Sequence, residues 1–347
     1  MSAAFAPLVA LAAPPFVALA AFAFSVSCEP ASNEGPPPST PNAEPMHTTE
    51  ASTGDDAFPN AMIAGAVSPP FVSVAAVAGP KPVCPTRVQR REPVDRVSPP
   101  LGWVVLPGAP DAQTLHCGNL SRKEWTVRRG EHEVEISLAQ RRPVDDALPF
   151  ALAGKVREGL GGTRRVKAVD GGFLVGFDAG EHIGALWWFG QTADRRLRLA
   201  DENILGFAEL GGVPVAITGL TRLGMSHGRV MRFGRDSEGA WRVAAWVDLG
   251  GASQTYVSES SETMLVLTTG GLLRITACGD MSMIAPAHYD VLYPSSMAVD
   301  DAGVVTIGMR HFTTRWIPSA AGYREEWLVR TDCAHPSVKK FECVCGG

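Results

Sequence analysis

Apolar residues in the later part of the chain fall in short runs of about five, divided by Gly, Asp, Asn and Ser, a spacing that predicts β-strands joined by turns. Phe173-Leu174-Val175-Gly176-Phe177, Val213-Pro214-Val215-Ala216-Ile217, Met264-Leu265-Val266-Leu267 and Val304-Val305-Thr306-Ile307-Gly308 are four such runs. A second register runs in step with the first. Leu186-Trp187-Trp188-Phe189-Gly190 leads through a polar turn to Leu197-Arg198-Leu199-Ala200, and Val230-Met231-Arg232-Phe233-Gly234 leads likewise to Trp241-Arg242-Val243-Ala244. Fainter echoes are Leu272-Leu273-Arg274-Ile275 and Trp327-Leu328-Val329-Arg330, and Trp125-Thr126-Val127 with Val134-Glu135-Ile136-Ser137-Leu138 reads as a further hairpin. Helical periodicity is hard to find in this region.

The runs return at intervals of roughly 40 to 50 residues, the length of a four-stranded repeat. Such a unit cannot cover its own faces, and stacking several around an axis buries them. The expected fold is therefore all-β: a single β-propeller-like repeat domain of roughly five to seven blades. At the level of repeat length and strand pattern the chain resembles secreted β-propeller proteins. The Gly-His and Trp-Asp marks of WD repeats are absent, and the double glycines at Gly250-Gly251 and Gly270-Gly271 follow their strands, unlike kelch repeats.

The first residues follow a different pattern. From Met1 to Val26 no side chain is ionisable, and the stretch ends at Ser25-Val26-Ser27-Cys28 before Glu29, Pro30 and a polar tract. This resembles a bacterial lipoprotein signal, in which small residues precede a cysteine that is lipidated, usually with palmitate among its acyl chains. The resemblance implies a signal peptide over 1–27, lipidation at Cys28 and a cell-envelope protein anchored to the membrane, facing the periplasm or the exterior. Ser25 stands where Leu is usual, and no Lys or Arg precedes the apolar run. Two alternatives stay open: ordinary cleavage near Ala21-Phe22-Ala23, which would leave a secreted protein, and an uncleaved anchor. Pro14-Pro15 argues against the anchor, because proline interrupts a spanning helix. Residues 28–80, rich in Pro, Ser and Thr, read as a disordered linker, and 81–347 as the folded domain.

Composition narrows the partners. The apolar share of 45% is enough for a sizeable core, and the net charge of −5 comes with no basic stripe, which excludes nucleic acid. Cysteine usage points the same way as the signal. Of seven cysteines, setting Cys28 aside leaves Cys84, Cys117, Cys278, Cys333, Cys343 and Cys345, an even set that reads as disulfides in an exported chain. Cys343 and Cys345 are expected to bond to two different partners, with Cys84, Cys117 and Cys333 the candidates. The tail cysteines and His335 could instead hold zinc, but an oxidising compartment favours the disulfides. No metal or other cofactor is expected.

Chemical motifs have plainer explanations here. Gly224-Met225-Ser226-His227-Gly228 matches a nucleophile elbow, yet that motif needs a helix after the serine, and Arg229 to Phe233 reads as a strand. His132-Glu133 lacks the second histidine of a zincin. The tryptophans fall mostly within apolar runs, where a packing role suffices; Trp187 and Trp188, being adjacent, should face opposite sides of their strand. The loops after the aligned strands should emerge on one face, and three carry histidine: His182 beside Glu181, His227 near Arg222, and His311 beside Arg310. These six residues are the candidate ligand-binding set, since β scaffolds carry function on loops. The expected role is non-enzymatic binding of a protein, glycan or small ligand. The alternative is a propeller hydrolase or lyase using loop histidine and carboxylate.

Overall fold

A computed structural model describes Cys84 and residues 91–131, 133–139, 144–152, 159–182, 184–222 and 224–345. The signal segment, Cys28, the linker and His132 lie outside these described residues. The chain enters through β1 (Trp103–Val105), a short helix α1 (Ala112–Asn119), and the hairpin β2 (Trp125–Arg129) and β3 (Val134–Leu138). Asp111 caps α1 by accepting from the Thr114 backbone N–H at 2.7 Å.

Four antiparallel sheets follow. The first holds β4 (Thr163–Val169), β5 (Gly172–Asp178), β6 (Ala185–Gly190) and β7 (Arg196–Ala200), and the second β8 (Ile204–Leu210), β9 (Val213–Arg222), β10 (Met225–Arg235) and β11 (Trp241–Asp248). The third holds β12 (Ser253–Ser258), β13 (Thr263–Thr268), β14 (Gly271–Thr276) and β15 (Met281–Ala285). The fourth holds β16 (Ser296–Val299), β17 (Val305–Gly308), β18 (Thr313–Ser319) and β19 (Gly322–Arg330), with β1 added as a fifth strand beside β19. Each is a simple meander. Gly211 and Gly212 join β8 to β9 with φ of 62° and 77°, the left-handed pair that a two-residue hairpin of this hand requires. Among the described residues the longest helix is α1, and no helix is long and apolar enough to cross a membrane.

Strand alternation explains why the runs are apolar throughout. In β13, Met264 and Val266 join the cluster shared with Val215, Ile217 and Val230 of the second sheet. Leu265 and Leu267, pointing the other way, join Val305, Ile307 and Trp316 of the fourth. In β9, Ala216 packs with Leu174 and Leu186 of the first sheet, while Val215 and Ile217 face the third. Successive side chains in a strand point to opposite faces, and here each face meets a neighbouring sheet. Trp187 and Trp188 divide in the same way, one packing with Val175 and Phe177 and the other against the Leu174 cluster.

The repeat extends to irregularities. A register shift falls between the third and fourth strands at Leu186/Trp187, Val230/Met231 and Leu272/Leu273. One extra residue at the same place in three sheets twists each outer strand alike. The architecture is that of an all-β, propeller-like repeat domain. The described residues supply four four-stranded units and the two-stranded β2–β3 hairpin, which packs on β16 and donates from the Val127 backbone N–H to Ser296 Oγ at 2.9 Å.

Early and late strands of the described residues meet in the fourth sheet. β1 pairs with the outer strand β19, Val104 opposite Val329. The tail then forms the hairpin β20 (Ser337–Lys339) and β21 (Glu342–Val344). All six cysteines of the domain are paired: Cys84–Cys278, Cys117–Cys343 and Cys333–Cys345, with Cα–Cα distances of 5.3, 4.8 and 4.4 Å, within the range that disulfides span. Cys343 and Cys345 do bond to different partners.

Candidate functional site

The loops carrying the three histidines are equivalent, each lying at the junction of the second and third strands of its sheet. The β5–β6 loop is held from below by Asn203, which is 2% exposed in the link between the first and second sheets. Its Oδ1 accepts from the backbone N–H groups of Ala179 at 3.2 Å and Gly184 at 2.6 Å, and its Nδ2 donates to the Gly180 carbonyl. A buried amide with both ends satisfied fixes a loop that lacks a core of its own. Glu181 and His182 stand exposed on this loop.

Glu202, adjacent to Asn203, reaches the second sheet. Its side chain is only 10% exposed and lies 3.3 Å from Arg229 Nη1 and 3.7 Å from His227 Nε2. A buried carboxylate needs such compensation, since desolvation penalises an isolated charge. His227 itself is half-exposed and sits on β10 opposite Leu220. The β5–β6 loop and the His227 end of β10 therefore meet across Asp201-Glu202-Asn203, where a carboxylate, an imidazole and a guanidinium come together. Arg222 belongs to β9, and its side chain lies outside the described residues.

Ser226 does not join this cluster. It precedes His227 in a strand, so it faces the other way. Its Oγ lies 2.8 Å from Thr269 Oγ1 and accepts from the Ala252 N–H at 2.9 Å, linking the second sheet to the third. The Gly-x-Ser-x-Gly segment lies within a β-hairpin, as the following apolar run implies.

The structure sets His311 apart. It is 2% exposed, with φ of 66°, beneath the tail. Its Nδ1 is 3.4 Å from Ser121 Oγ and 3.7 Å from Cys343 Sγ, and its ring meets Phe312 edge-on at 4.6 Å. Arg310 is engaged nearby, its guanidinium 3.8 Å from the centre of the Tyr293 ring and donating to the Asn119 carbonyl at 3.2 Å. A ring nitrogen of His311 and the sulfurs of Cys333 and Cys345 gather within 4.8 Å, the spacing of a metal site, but those sulfurs are joined in a disulfide. A bonded sulfur is no thiolate, and zinc binds the thiolate.

Burial, and then the charge of Lys123, push the His311 pKa down to about 4, with Asp332 opposing. An unfolded imidazole takes up its proton near pH 6.5. Between these values the unfolded chain holds the extra proton. The stabilisation is therefore complete above about pH 6.5 and is lost as the pH falls toward 4, a difference of about 3 kcal/mol. His311→Asn, which tolerates the left-handed backbone, should remove this part of the acid sensitivity. Urea unfolding at pH 7 and pH 4 reads it, and equal losses in both proteins would contradict it.

Sequence reasoning reaches the loops but misses Glu202, Asn203 and Arg229. The polar triplet Asp201-Glu202-Asn203 between two apolar strands was the available signal, marking a link rather than a blade.

No protein-family profile matches the chain, and no curated protein sequence does. Solved structures give loose likenesses. One is the extracellular domain of a hybrid two-component system from Bacteroides thetaiotaomicron, with TM-score 0.34 and 10% identity over 46% of this chain; the chain spans only 21% of that protein. Another is virginiamycin B lyase from Staphylococcus aureus, with TM-score 0.31 and 11% identity over 47% of this chain and 54% of the lyase. A third, a Bacteroides caccae protein of unknown function, has TM-score 0.32 and 12% identity over 63% of this chain and 77% of that one. Likeness at this level transfers no activity, and the architecture above stands on the strand pairing.

Proposed function

We propose that the protein is an exported lipoprotein, tethered to the membrane through Cys28, whose propeller-like domain is a non-enzymatic binding module. The observation that carries export is the complete pairing of six cysteines into three disulfides, a usage typical of oxidising compartments. Binding is assigned to the loop end of the first and second sheets, where His182, Glu181 and His227 surround the link bearing Glu202. The ligand is a polar protein, glycan or small molecule that meets both a cation and an acid.

The His227–Glu202 pair also supports a second reading, a hydrolase or lyase using them for proton transfer. Against it, Glu202 is shared with Arg229, which holds the carboxylate in an ion pair rather than leaving it as a base.

Cys28→Ala tests the tether. The variant should lose metabolic palmitate labelling and move from the membrane to the soluble fraction. A variant that stays membrane-bound would replace the lipid with an uncleaved anchor.

A further inference from the structure

At the opposite end of the strands from the histidine loops, the turns between third and fourth strands of the first two sheets enclose a cleft of about 390 Å³. One wall is Trp188 with the turn and strand start at Asp194, Arg195 and Arg196, and the other is Arg235 and Trp241. The volume lies within the range of small-ligand pockets. The repeat builds both walls, for Trp188 pairs with Leu197 across one hairpin and Arg235 pairs with Trp241 across the next.

Its charge is opposite to that of the molecule. Three arginines and one aspartate line the cleft. Arg196 turns its guanidinium to Trp187, 5.5 Å away, leaving Arg195 and Arg235 to charge the cleft in a chain of net charge −5. The guanidinium groups sit on the indoles: Arg195 lies 5.7 Å from the Trp188 ring centre and Arg235 4.8 Å from that of Trp241. Arg235 also lies 3.3 Å from Asp170 and donates to the Gly239 carbonyl at 2.7 Å, which fixes its head at the cleft.

Two of the lining indoles carry unmet hydrogen-bonding capacity. Trp241 is 8% exposed, and the indole N–H groups of Trp188 and Trp241 are both buried without an acceptor among the described residues. Buried donors normally find partners. A ligand rich in oxygen that draws Arg195 off its indole would bring acceptors toward that of Trp188.

From this geometry we infer that the cleft is a binding site for a carboxylated oligosaccharide. Arginine matches carboxylate in a planar fork, and once Arg195 turns to that carboxylate the half-buried Trp188 indole is open to stack on the apolar side of a sugar ring. The site goes beyond the loop-face reading and is independent of it and of the tether.

Calorimetry on the full-length protein at low salt tests this with three probes. Trigalacturonate combines ring and carboxylate, maltotriose has the ring alone, and citrate has carboxylates alone. Trigalacturonate should bind, and maltotriose and citrate should not. Arg195→Ala alters an exposed side chain and should weaken trigalacturonate binding about tenfold or more, the usual cost of losing a charged hydrogen bond. Arg128→Ala, on the β2–β3 hairpin, should leave it unchanged. Absence of trigalacturonate binding, or equal affinity in Arg195→Ala, would overturn the site. Citrate binding as tightly as trigalacturonate would overturn the sugar assignment. Loss of binding at the His227 loops would leave these outcomes untouched.

Discussion

Replacing Glu259 with Leu is expected to cost about 3–5 kcal/mol of stability, among the largest effects of any single substitution in this domain. Arg274, in the third strand of the third sheet, grips Glu259 with both arms of its guanidinium, Nε to Oε2 at 2.7 Å and Nη2 to Oε1 at 2.8 Å. Their side chains are 12% and 6% exposed. Burial alone would lower the Arg274 pKa, yet the hydrogen bonds and charge of Glu259 hold it above its ordinary value. Removing the acid leaves a cation out of water with only the Tyr323 hydroxyl at 3.2 Å to receive it. That residual cost, more than the worth of the pair itself, makes single removal so damaging. The melting temperature should fall by roughly 6–20 °C. Glu259 also pairs with Arg91 at 3.5 Å, whose side chain is 30% exposed. Glu259→Leu combined with Arg274→Met should therefore recover most of the loss, only that partly solvated cation being left without its acid. By contrast, Arg128 and Glu135 pair at 3.2 Å with 69% and 55% exposure, and Arg128→Ala should cost under about 1 kcal/mol. If Glu259→Leu costs no more than that exposed control, the buried pair is not holding the third sheet.

The second large effect is covalent. Cys117 on α1 is joined to Cys343 on the tail hairpin across 226 residues. A cross-link acts mainly by restricting the unfolded chain, and more so when the loop is long. Cys117→Ser with Cys343→Ser should therefore lower stability by about 2–5 kcal/mol. The double change avoids a lone thiol that could exchange with the neighbouring Cys333–Cys345 bond. Since Cys343 also covers His311, the same variant should let the imidazole hydrate and titrate closer to neutrality, which NMR of the ring protons would follow. Unfolding free energies within about 0.5 kcal/mol of the unaltered protein would show that the β1–β19 pairing closes the domain without the bond.

The sheets were legible in the sequence because their inner strands, such as β13 and β17, are buried on both faces. The runs at Phe173, Val213, Met264 and Val304 all became second strands, β5, β9, β13 and β17. The second register became β6 with β7 and β10 with β11, and the early hairpin became β2 and β3. The echo from Trp327 to Arg330 lies in a fourth strand, β19. Two-faced burial leaves a continuous apolar run that survives in the sequence as a repeat.

What stayed hidden depends on contacts between distant segments. His311 occupies a loop equivalent to those of His182 and His227, so the repeat alone places it with them. Its surroundings come from Ser121 and Cys343, 190 and 32 residues away, and no periodicity reports that the tail covers this loop. Glu202 was hidden for a similar reason: its neighbours His227 and Arg229 belong to the next hairpin. The helix α1 is eight residues long, too short for a periodic signal of its own.

The proposed export rests on a propeller-like domain fastened through its cysteines. Peptide mapping of the full-length protein tests it most directly, with free thiols alkylated under denaturing conditions before non-reducing digestion. The account predicts three linked pairs, Cys84–Cys278, Cys117–Cys343 and Cys333–Cys345, with none of the six alkylated. Alkylation of all six, or linkage of Cys343 and Cys345 to each other, would contradict it.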